Sequence, residues 1–194
     1  NPINVGRALT IKTRSGDNLM LHKALNMAKP GDVIVLSNDG GESYRSLIGE
    51  IMFTYLASTG AAGIVIDGPI RDIDAVREME LPIYATGTNP AGPYKEGPGE
   101  INVPISCGGI SVNPGDIIVM DADGVIVIPL QEAETVLKNA RAFQEKDEVG
   151  YWWFSSVDGH NCWALSINPS NVSVPQSTNT YSRGYGFSIR FIRQ

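Results

Sequence analysis

Hydrophobic residues along the chain fall into short β-branched runs, separated by tight turns and by longer segments with helical periodicity. Buried or alternating patterns predict strands over residues 8–13, 33–36, 64–66, 81–85, 101–105, 110–112, 117–120 and 125–128. Helical periodicity predicts helices over residues 19–28, 44–58, 74–81 and 129–147. Because helices and strands do not alternate regularly, the pattern predicts an α/β fold with a compact, partly barrel-like sheet.

Residues 63–72 place two opposite charges at the end of a predicted buried strand. The apolar run 64–66 forms the strand, and Asp-Gly-Pro at 67–69 ends it with a turn. Arg71 and Asp72 follow directly. Arg can bind a carboxylate through two hydrogen bonds, and Asp can bind a hard divalent cation. The alternative is that Asp72 caps the next helix and Arg71 is a solvated surface charge.

Gly49 interrupts the helical pattern of residues 44–58, where Gly costs about 1 kcal/mol relative to Ala. One interpretation is that the helix begins near Gly49. The N–H groups of Glu50, Ile51 and Met52 would then be free to bind an anion. The other interpretation is that Gly49 permits a close packing contact. The residues alone leave both open.

Other polar features have less specific interpretations. The Gly/Pro-rich segment 87–100 has the length of a functional loop. Asp121 and Asp123 pair two carboxylates, but Asp-Gly between two strands favours ordinary turn chemistry. His22, the only histidine before residue 150, is interpreted as a surface or packing residue.

The composition excludes several classes of function. The net charge is −6, and no basic stripe is interleaved with aromatic residues, so we expect no nucleic-acid partner. No apolar run approaches the roughly 20 residues that a membrane span needs, so we expect no membrane partner. Two cysteines and no signal-peptide pattern favour a cytoplasmic protein. Rossmann, Walker and nucleophile-elbow motifs are absent from the sequence.

The composition changes near the end of the chain. All three tryptophans, but only one of the 21 acidic residues, lie after residue 150. This change predicts two modules: an α/β domain over residues 1–149 and a small β-rich C-terminal extension over residues 150–194.

A long series of motifs across residues 5–148 resembles the family that joins 4-hydroxy-4-methyl-2-oxoglutarate aldolases with the regulator of ribonuclease E activity A proteins. The matching segments, in order, are residues 28–33, 49–50, 63–72, 97–104, 107–109 and 114–125. The resemblance implies the swivelling β/β/α fold, assembled as homotrimers or hexamers.

The resemblance also implies a site and a reaction. The backbone N–H groups that would bind the substrate carboxylate belong to Gly49, Glu50, Ile51 and Met52. Arg71 would hold the substrate, and Asp72 would bind a divalent cation, expected to be Mg²⁺ with Mn²⁺ as the alternative. The implied enzyme is a lyase, a metal-dependent aldolase that cleaves 4-hydroxy-4-methyl-2-oxoglutarate or a related 2-oxo acid to pyruvate. Oxaloacetate decarboxylation through the same enolate is the implied side activity.

Two alternatives to the enzyme remain: a non-catalytic protein that regulates a ribonuclease, and a folded but inactive homologue. The second arises because the family's helical segment before residue 1 and its acidic C-terminal segment have no counterpart in this sequence. The loop containing Tyr94 and Lys95 resembles the aldolase branch and favours the enzyme. Residues 151–194 resemble the end of a Fibrobacter succinogenes major paralogous domain, which we interpret as a fusion or chimeric fragment.

Overall fold

The computed structural model describes residues 3–40, 44–146, 150–155, 162–168, 171–173 and 188–189. In the first part of the chain the strands are β1 (Asn4–Thr13), β2 (Asp32–Ser37), β3 (Gly63–Ile70), β4 (Ile83–Thr88), β5 (Gly99–Ile101), β6 (Ile105–Cys107), β7 (Ile110–Val112), β8 (Ile117–Met120) and β9 (Val125–Ile128). The later strands are β10 (Gly150–Ser155), β11 (Cys162–Asn168), β12 (Asn171–Ser173) and β13 (Ser188–Ile189). The helices are α1 (Leu19–Leu25), α2 (Glu50–Ser58), α3 (Ile73–Arg77) and α4 (Ala133–Lys146), with a 3₁₀ turn at Leu130–Glu132.

The large sheet is mixed, with parallel strands at one side. Its order is β13-β9-β8-β1-β2-β3-β4, and β5 also pairs with β1. Strands β1 to β4 run parallel, whereas β8 is antiparallel to both β1 and β9. The carboxyl ends of the parallel strands therefore lie along one edge, which is where ligands bind in open α/β sheets.

Both faces of the parallel strands are covered by apolar side chains. Ile64 and Ile66 of β3 pack in one cluster with Phe53 of α2, and all three are fully buried. Val65 points to the opposite face, where it packs in a second cluster with Ile118 of β8. Burying a side chain of this size contributes about 1.5–3 kcal/mol. This packing fixes α2 against β3 and so sets the position of the α2 N-terminus.

The predicted α/β class is confirmed, and the differences lie at the ends of elements. The helix predicted over residues 44–58 begins only at Glu50, with Gly49 as its N-cap. The helix predicted over residues 74–81 is only the five residues of α3. The strand predicted over residues 101–105 is interrupted, because Asn102 adopts a left-handed φ of 58°.

The chain divides into two compact units. The first consists of Asn1–Ala133 with Gly186–Gln194, and it holds the large sheet with α1 to α3. The second, Glu134–Tyr185, holds α4 and the antiparallel sheet β10-β11-β12. The boundary near Gly150 and the origin of the tail stay predictions. Among the described residues, no helix is both long and apolar enough to cross a membrane.

Candidate active site

Three segments converge at the carboxyl end of β3: the residues before α2, the turn from β3 into α3, and the loop between β4 and β5. Backbone hydrogen bonds join them from Leu47 N–H to Pro69 O (2.9 Å), Arg71 N–H to Ile48 O (3.1 Å) and Asn89 N–H to Ile70 O (2.9 Å). These bonds hold the predicted residues of the site, Gly49 to Met52 and Arg71 with Asp72, next to one another.

Gly49 occupies a point where no side chain fits. A Cβ there would overlap Asp72 Oδ2 and lie 2.9 Å from both Cγ and Nε of Arg71. Its φ of −143° and ψ of −172° are extended and open to any residue, so the constraint is space rather than backbone strain. The two interpretations of Gly49 are therefore both correct, since the helix begins there and the close contact exists.

Asp72 caps a helix, but a different helix from the one that follows it. Its Oδ2 accepts a hydrogen bond from Glu50 N–H at 3.0 Å, in the first turn of α2. Its side chain makes no capping bond to α3, and its φ of 62° is left-handed. Oδ1 makes no hydrogen bond within the described part of the chain. One oxygen therefore orients the carboxylate, and the other is available to a ligand.

The first turn of α2 offers fewer free N–H groups than the pattern suggested. Glu50 N–H donates to Asp72, and Met52 N–H donates to the carbonyl of Gly49 at 3.1 Å. Ile51 N–H has no acceptor among the residues described here, and Ile51 is 86% exposed. The positive end of the helix dipole adds to the attraction of this point for an anion.

Arg71 extends from the end of β3 towards solvent with its guanidinium partly held. Its Nε lies 3.6 Å from Asp72 Oδ2, and the two side chains are 41% and 44% exposed. At this exposure the pair adds little to stability. The geometry instead keeps the positively charged Arg71 guanidinium beside the Asp72 carboxylate and the α2 N-terminus, where the guanidinium can bind an anionic ligand.

The loop between β4 and β5 is fastened to the segment before α2. Ser46 donates to the Ala91 carbonyl twice, from N–H and from Oγ, each at 2.9 Å. Arg45 Nη1 donates to the Gly92 carbonyl at 2.7 Å. Ala91 and Gly92 of the Gly/Pro-rich segment 87–100 are thus held next to the residues that precede α2. Arg45 was not singled out from the sequence, where a lone Arg in a polar segment carries no signal.

Asp17 anchors the far end of the same loop. It is 1% exposed, and its carboxylate accepts hydrogen bonds from the backbone N–H groups of Leu19, Glu96 and Gly97, each at 2.8 Å. Burial raises the pKa of Asp17, but these N–H donors together with Arg14 outweigh it and leave the pKa below its ordinary value of 3.8.

We predict that Asp17 stabilises the folded protein at neutral pH and that this stabilisation is lost in acid. Because its pKa is lower in the folded protein, the unfolded chain takes up the proton first as the pH falls. The contribution is therefore complete above pH 3.8 and is lost as the pH falls through the folded-state pKa. At pH 7, Asp17→Asn should cost about 2 kcal/mol of unfolding free energy. Urea titrations should show the gap between the two proteins narrowing below pH 3.8; a constant gap would contradict the assignment.

The donor set at Asp72 suits a cation that keeps most of its water. The described residues contain no group of three or more His, Cys, Asp or Glu side chains that could hold a metal. Mg²⁺ commonly binds proteins through one or two carboxylates and takes its other ligands from water and substrate. A single free carboxylate oxygen on Asp72, partly exposed beside Arg71 and the start of α2, fits that pattern.

The remaining candidates have structural roles. Asp121 accepts hydrogen bonds from the N–H groups of Asp123 and Gly124 at 2.8 and 3.2 Å, as predicted for a turn. His22 is partly buried on α1; burial and nearby Lys95 lower its pKa. Cys107 is fully buried, and burial raises its pKa far above the ordinary range, so it stays a thiol.

The fold is that of the swivelling β/β/α class. In this chain Arg71 and Asp72 lie directly after the end of β3. The RraA-like family model, described as Aldolase/RraA, matches residues 1–127, and the chain belongs to this family. A candidate 4-hydroxy-4-methyl-2-oxoglutarate aldolase of Halalkalibacterium halodurans is 48% identical over 145 residues, which cover 75% of this chain and 69% of that protein.

Solved structures of the family have the same fold. RraAS2 of Streptomyces coelicolor, described as an unusual member of the RNase ES inhibitor RraA family, is 32% identical with a TM-score of 0.66, over 74% of each chain. The RNA-processing inhibitor RraA from Thermus is 30% identical with a TM-score of 0.62, over 66% of this chain and 77% of its own.

Proposed function

We propose that the protein is a divalent-metal-dependent aldolase that cleaves 4-hydroxy-4-methyl-2-oxoglutarate, or a related 4-hydroxy-2-oxo acid, to pyruvate. The observation that carries the proposal is the close approach of Asp72 and Arg71 over Gly49, at the start of α2. It places the Arg71 guanidinium beside a carboxylate of which only one oxygen accepts a hydrogen bond among the described residues. The 48% identical relative, named as a candidate aldolase, supports the same reaction.

Each residue has a distinct part in this proposal. Asp72 would hold the cation through Oδ1, because Oδ2 is committed to Glu50 N–H. A divalent cation bound there would act as a Lewis acid towards the carboxylate and keto oxygens of the 2-oxo acid. Arg71 would bind the substrate and offset negative charge that develops during cleavage. Ile51 N–H would donate to the substrate carboxylate.

Among the described residues, the contacts of Asp72 given above include no amine for an alternative, covalent aldol mechanism. The residues that converge on Asp72 through the contacts described above are Gly49, Glu50 and Arg71, none of which can form a Schiff base with a ketone. The same residues suit oxaloacetate, which resembles the substrate at its 2-oxo acid end. We therefore include oxaloacetate decarboxylation in the proposal, together with assembly as a homotrimer or hexamer.

The second candidate function is inhibition of a ribonuclease without catalysis. It rests on the two solved RraA structures, one from the RNase ES inhibitor family and one an RNA-processing inhibitor, which are 32% and 30% identical to this chain. The aldolase-named relative is more similar, at 48%. A free Asp carboxylate oxygen is also more useful to an enzyme than to a protein interface, where Asp is depleted.

A paired assay separates the two functions. Pyruvate release from 4-hydroxy-4-methyl-2-oxoglutarate is followed with lactate dehydrogenase and NADH, after removal of metal with EDTA and again after addition of Mg²⁺ or Mn²⁺. In parallel, the protein is titrated into a ribonuclease E cleavage assay. The proposal expects metal-restored pyruvate release; inhibition of the nuclease without any pyruvate release would replace it with the regulator.

A further inference from the structure

Arg45 is a second guanidinium near the site, and it binds a loop residue that lies beside Arg71. Arg45 Nη1 donates to the Gly92 carbonyl at 2.7 Å. A Cβ added to Gly92 would lie 3.3 Å from Arg71 Nη1. Gly92 therefore has its carbonyl bound by Arg45, and the space beside its Cα is occupied by Arg71 Nη1.

Arg45 is held firmly in this position. Its Cζ lies 4.1 Å from the centroid of the Tyr94 ring, and Arg14 Cζ lies 5.4 Å from the same centroid. Gly16 lies beneath the stack, since a Cβ there would be 3.4 Å from Arg45 Cδ and 3.6 Å from the Tyr94 ring. Stacking of this kind stabilises an Arg–aromatic pair and limits the motion of both side chains.

Arg71 is held much less firmly at its outer end. Its ion pair with Asp72 is made through Nε, and within the described residues no hydrogen bond holds Nη1 or Nη2. The side chain is 41% exposed. Gly92 is therefore a neighbour that limits where Arg71 Nη1 can go.

We propose that Arg45 is a positioning residue for Arg71. It fixes the Gly92 peptide, and that peptide restricts the Arg71 guanidinium to orientations in which it faces the start of α2. The inference rests on the proposed function, in which Arg71 binds the substrate. A misplacement of about 1 Å in a binding group can cost an enzyme up to about 100-fold, so a role through the loop has a measurable effect.

Steady-state kinetics of pyruvate release test the proposal. Arg45→Ala should raise KM about tenfold and also lower kcat, because a poorly oriented Arg71 binds the substrate less well and offsets less of the charge that develops during cleavage. Arg45→Lys, which keeps one donor for the Gly92 carbonyl, should recover part of the loss. The matched control is Arg7→Ala, which removes an exposed arginine of β1 and should leave KM and kcat unchanged.

Two further variants separate positioning from other roles. Gly92→Ala leaves Arg45 untouched but crowds Arg71 Nη1, and it should also raise KM. In an Arg71→Ala background, Arg45→Ala should cause no further increase in KM. Additive effects of the two substitutions, or an unchanged KM for Gly92→Ala, would overturn the proposal.

A measurement without substrate makes the test independent of the reaction. The ¹⁵N order parameter of Arg71 Nε should fall in Arg45→Ala relative to the wild type and to Arg7→Ala, in the full-length protein with or without metal. An unchanged order parameter would overturn the positioning role even if the aldolase activity is real. Absence of pyruvate release from the wild type would instead overturn the proposed function, while the order parameter still decides whether Arg45 orders Arg71.

Discussion

Asp72→Asn should reduce pyruvate release by at least about 1,000-fold while leaving the fold almost unchanged. Asn keeps an oxygen that can accept the hydrogen bond from Glu50 N–H, and it tolerates the left-handed φ of 62° at this position. It removes the negative charge that a divalent cation requires. Activity and cation binding should therefore be lost together, with an unfolding free energy within about 0.5 kcal/mol of the wild type.

Two other substitutions show whether the effect is specific. Asp72→Ala removes the acceptor for Glu50 N–H as well, so it should also lower the unfolding free energy by about 1–2 kcal/mol. Asp74→Asn, an exposed carboxylate in the first turn of α3, should leave activity unchanged. Binding of Mn²⁺, measured by water proton relaxation, should be weakened by both Asp72 substitutions and not by Asp74→Asn. Equal Mn²⁺ binding in all four proteins would remove Asp72 from the metal site.

Gly49→Ala should reduce activity by at least about 100-fold, because the added methyl group would displace both charged side chains at once. It would overlap Asp72 Oδ2 and lie 2.9 Å from Arg71 Cγ and Nε. Displacing Asp72 also breaks its bond to Glu50 N–H, so the unfolding free energy should fall by about 1–3 kcal/mol. Circular dichroism and urea titration measure stability, and the coupled pyruvate assay measures activity.

Gly87→Ala is the matched control for Gly49→Ala. A Cβ at Gly87 would have no atom within 4 Å, and the residue lies on β4, away from the contacts of Asp72. It should leave activity unchanged. Activity of Gly49→Ala equal to that of Gly87→Ala would show that the close approach at Gly49 has no role in the reaction.

The sequence predicted most of the fold, because the strands of the large sheet are short apolar runs that must be buried. Residues 33–36 of β2 and 64–66 of β3 are continuously apolar, as expected for parallel strands covered on both faces. The turn predicted at residues 67–69 was wrong, because β3 continues through them to Ile70. The ends of elements were less predictable. Residues 44–49 carry the apolar positions of a helix, and Leu47 and Ile48 are indeed buried, but they pack from an irregular segment.

The candidate site was predicted in its residues but not in its contacts. Arg71 and Asp72 were predicted because two opposite charges follow a buried strand. Gly49 was predicted because it interrupts a helical pattern. No periodic pattern shows that Asp72 caps α2 from 22 residues away, or that Arg45 binds a carbonyl 47 residues away. Such contacts depend on how segments pack in three dimensions, and local sequence propensity carries no information about that packing. The proposed roles of these residues are predictions that the variants described above test.

The most direct test of the central claim is the initial rate of pyruvate release from 4-hydroxy-4-methyl-2-oxoglutarate by the intact protein, measured beside Asp72→Asn in the same Mg²⁺-containing buffer. We expect release by the intact protein that EDTA abolishes and Mg²⁺ restores, with almost none from Asp72→Asn. A folded, metal-supplemented protein that releases no pyruvate, or an Asp72→Asn variant that is as fast as the intact protein, would contradict the account.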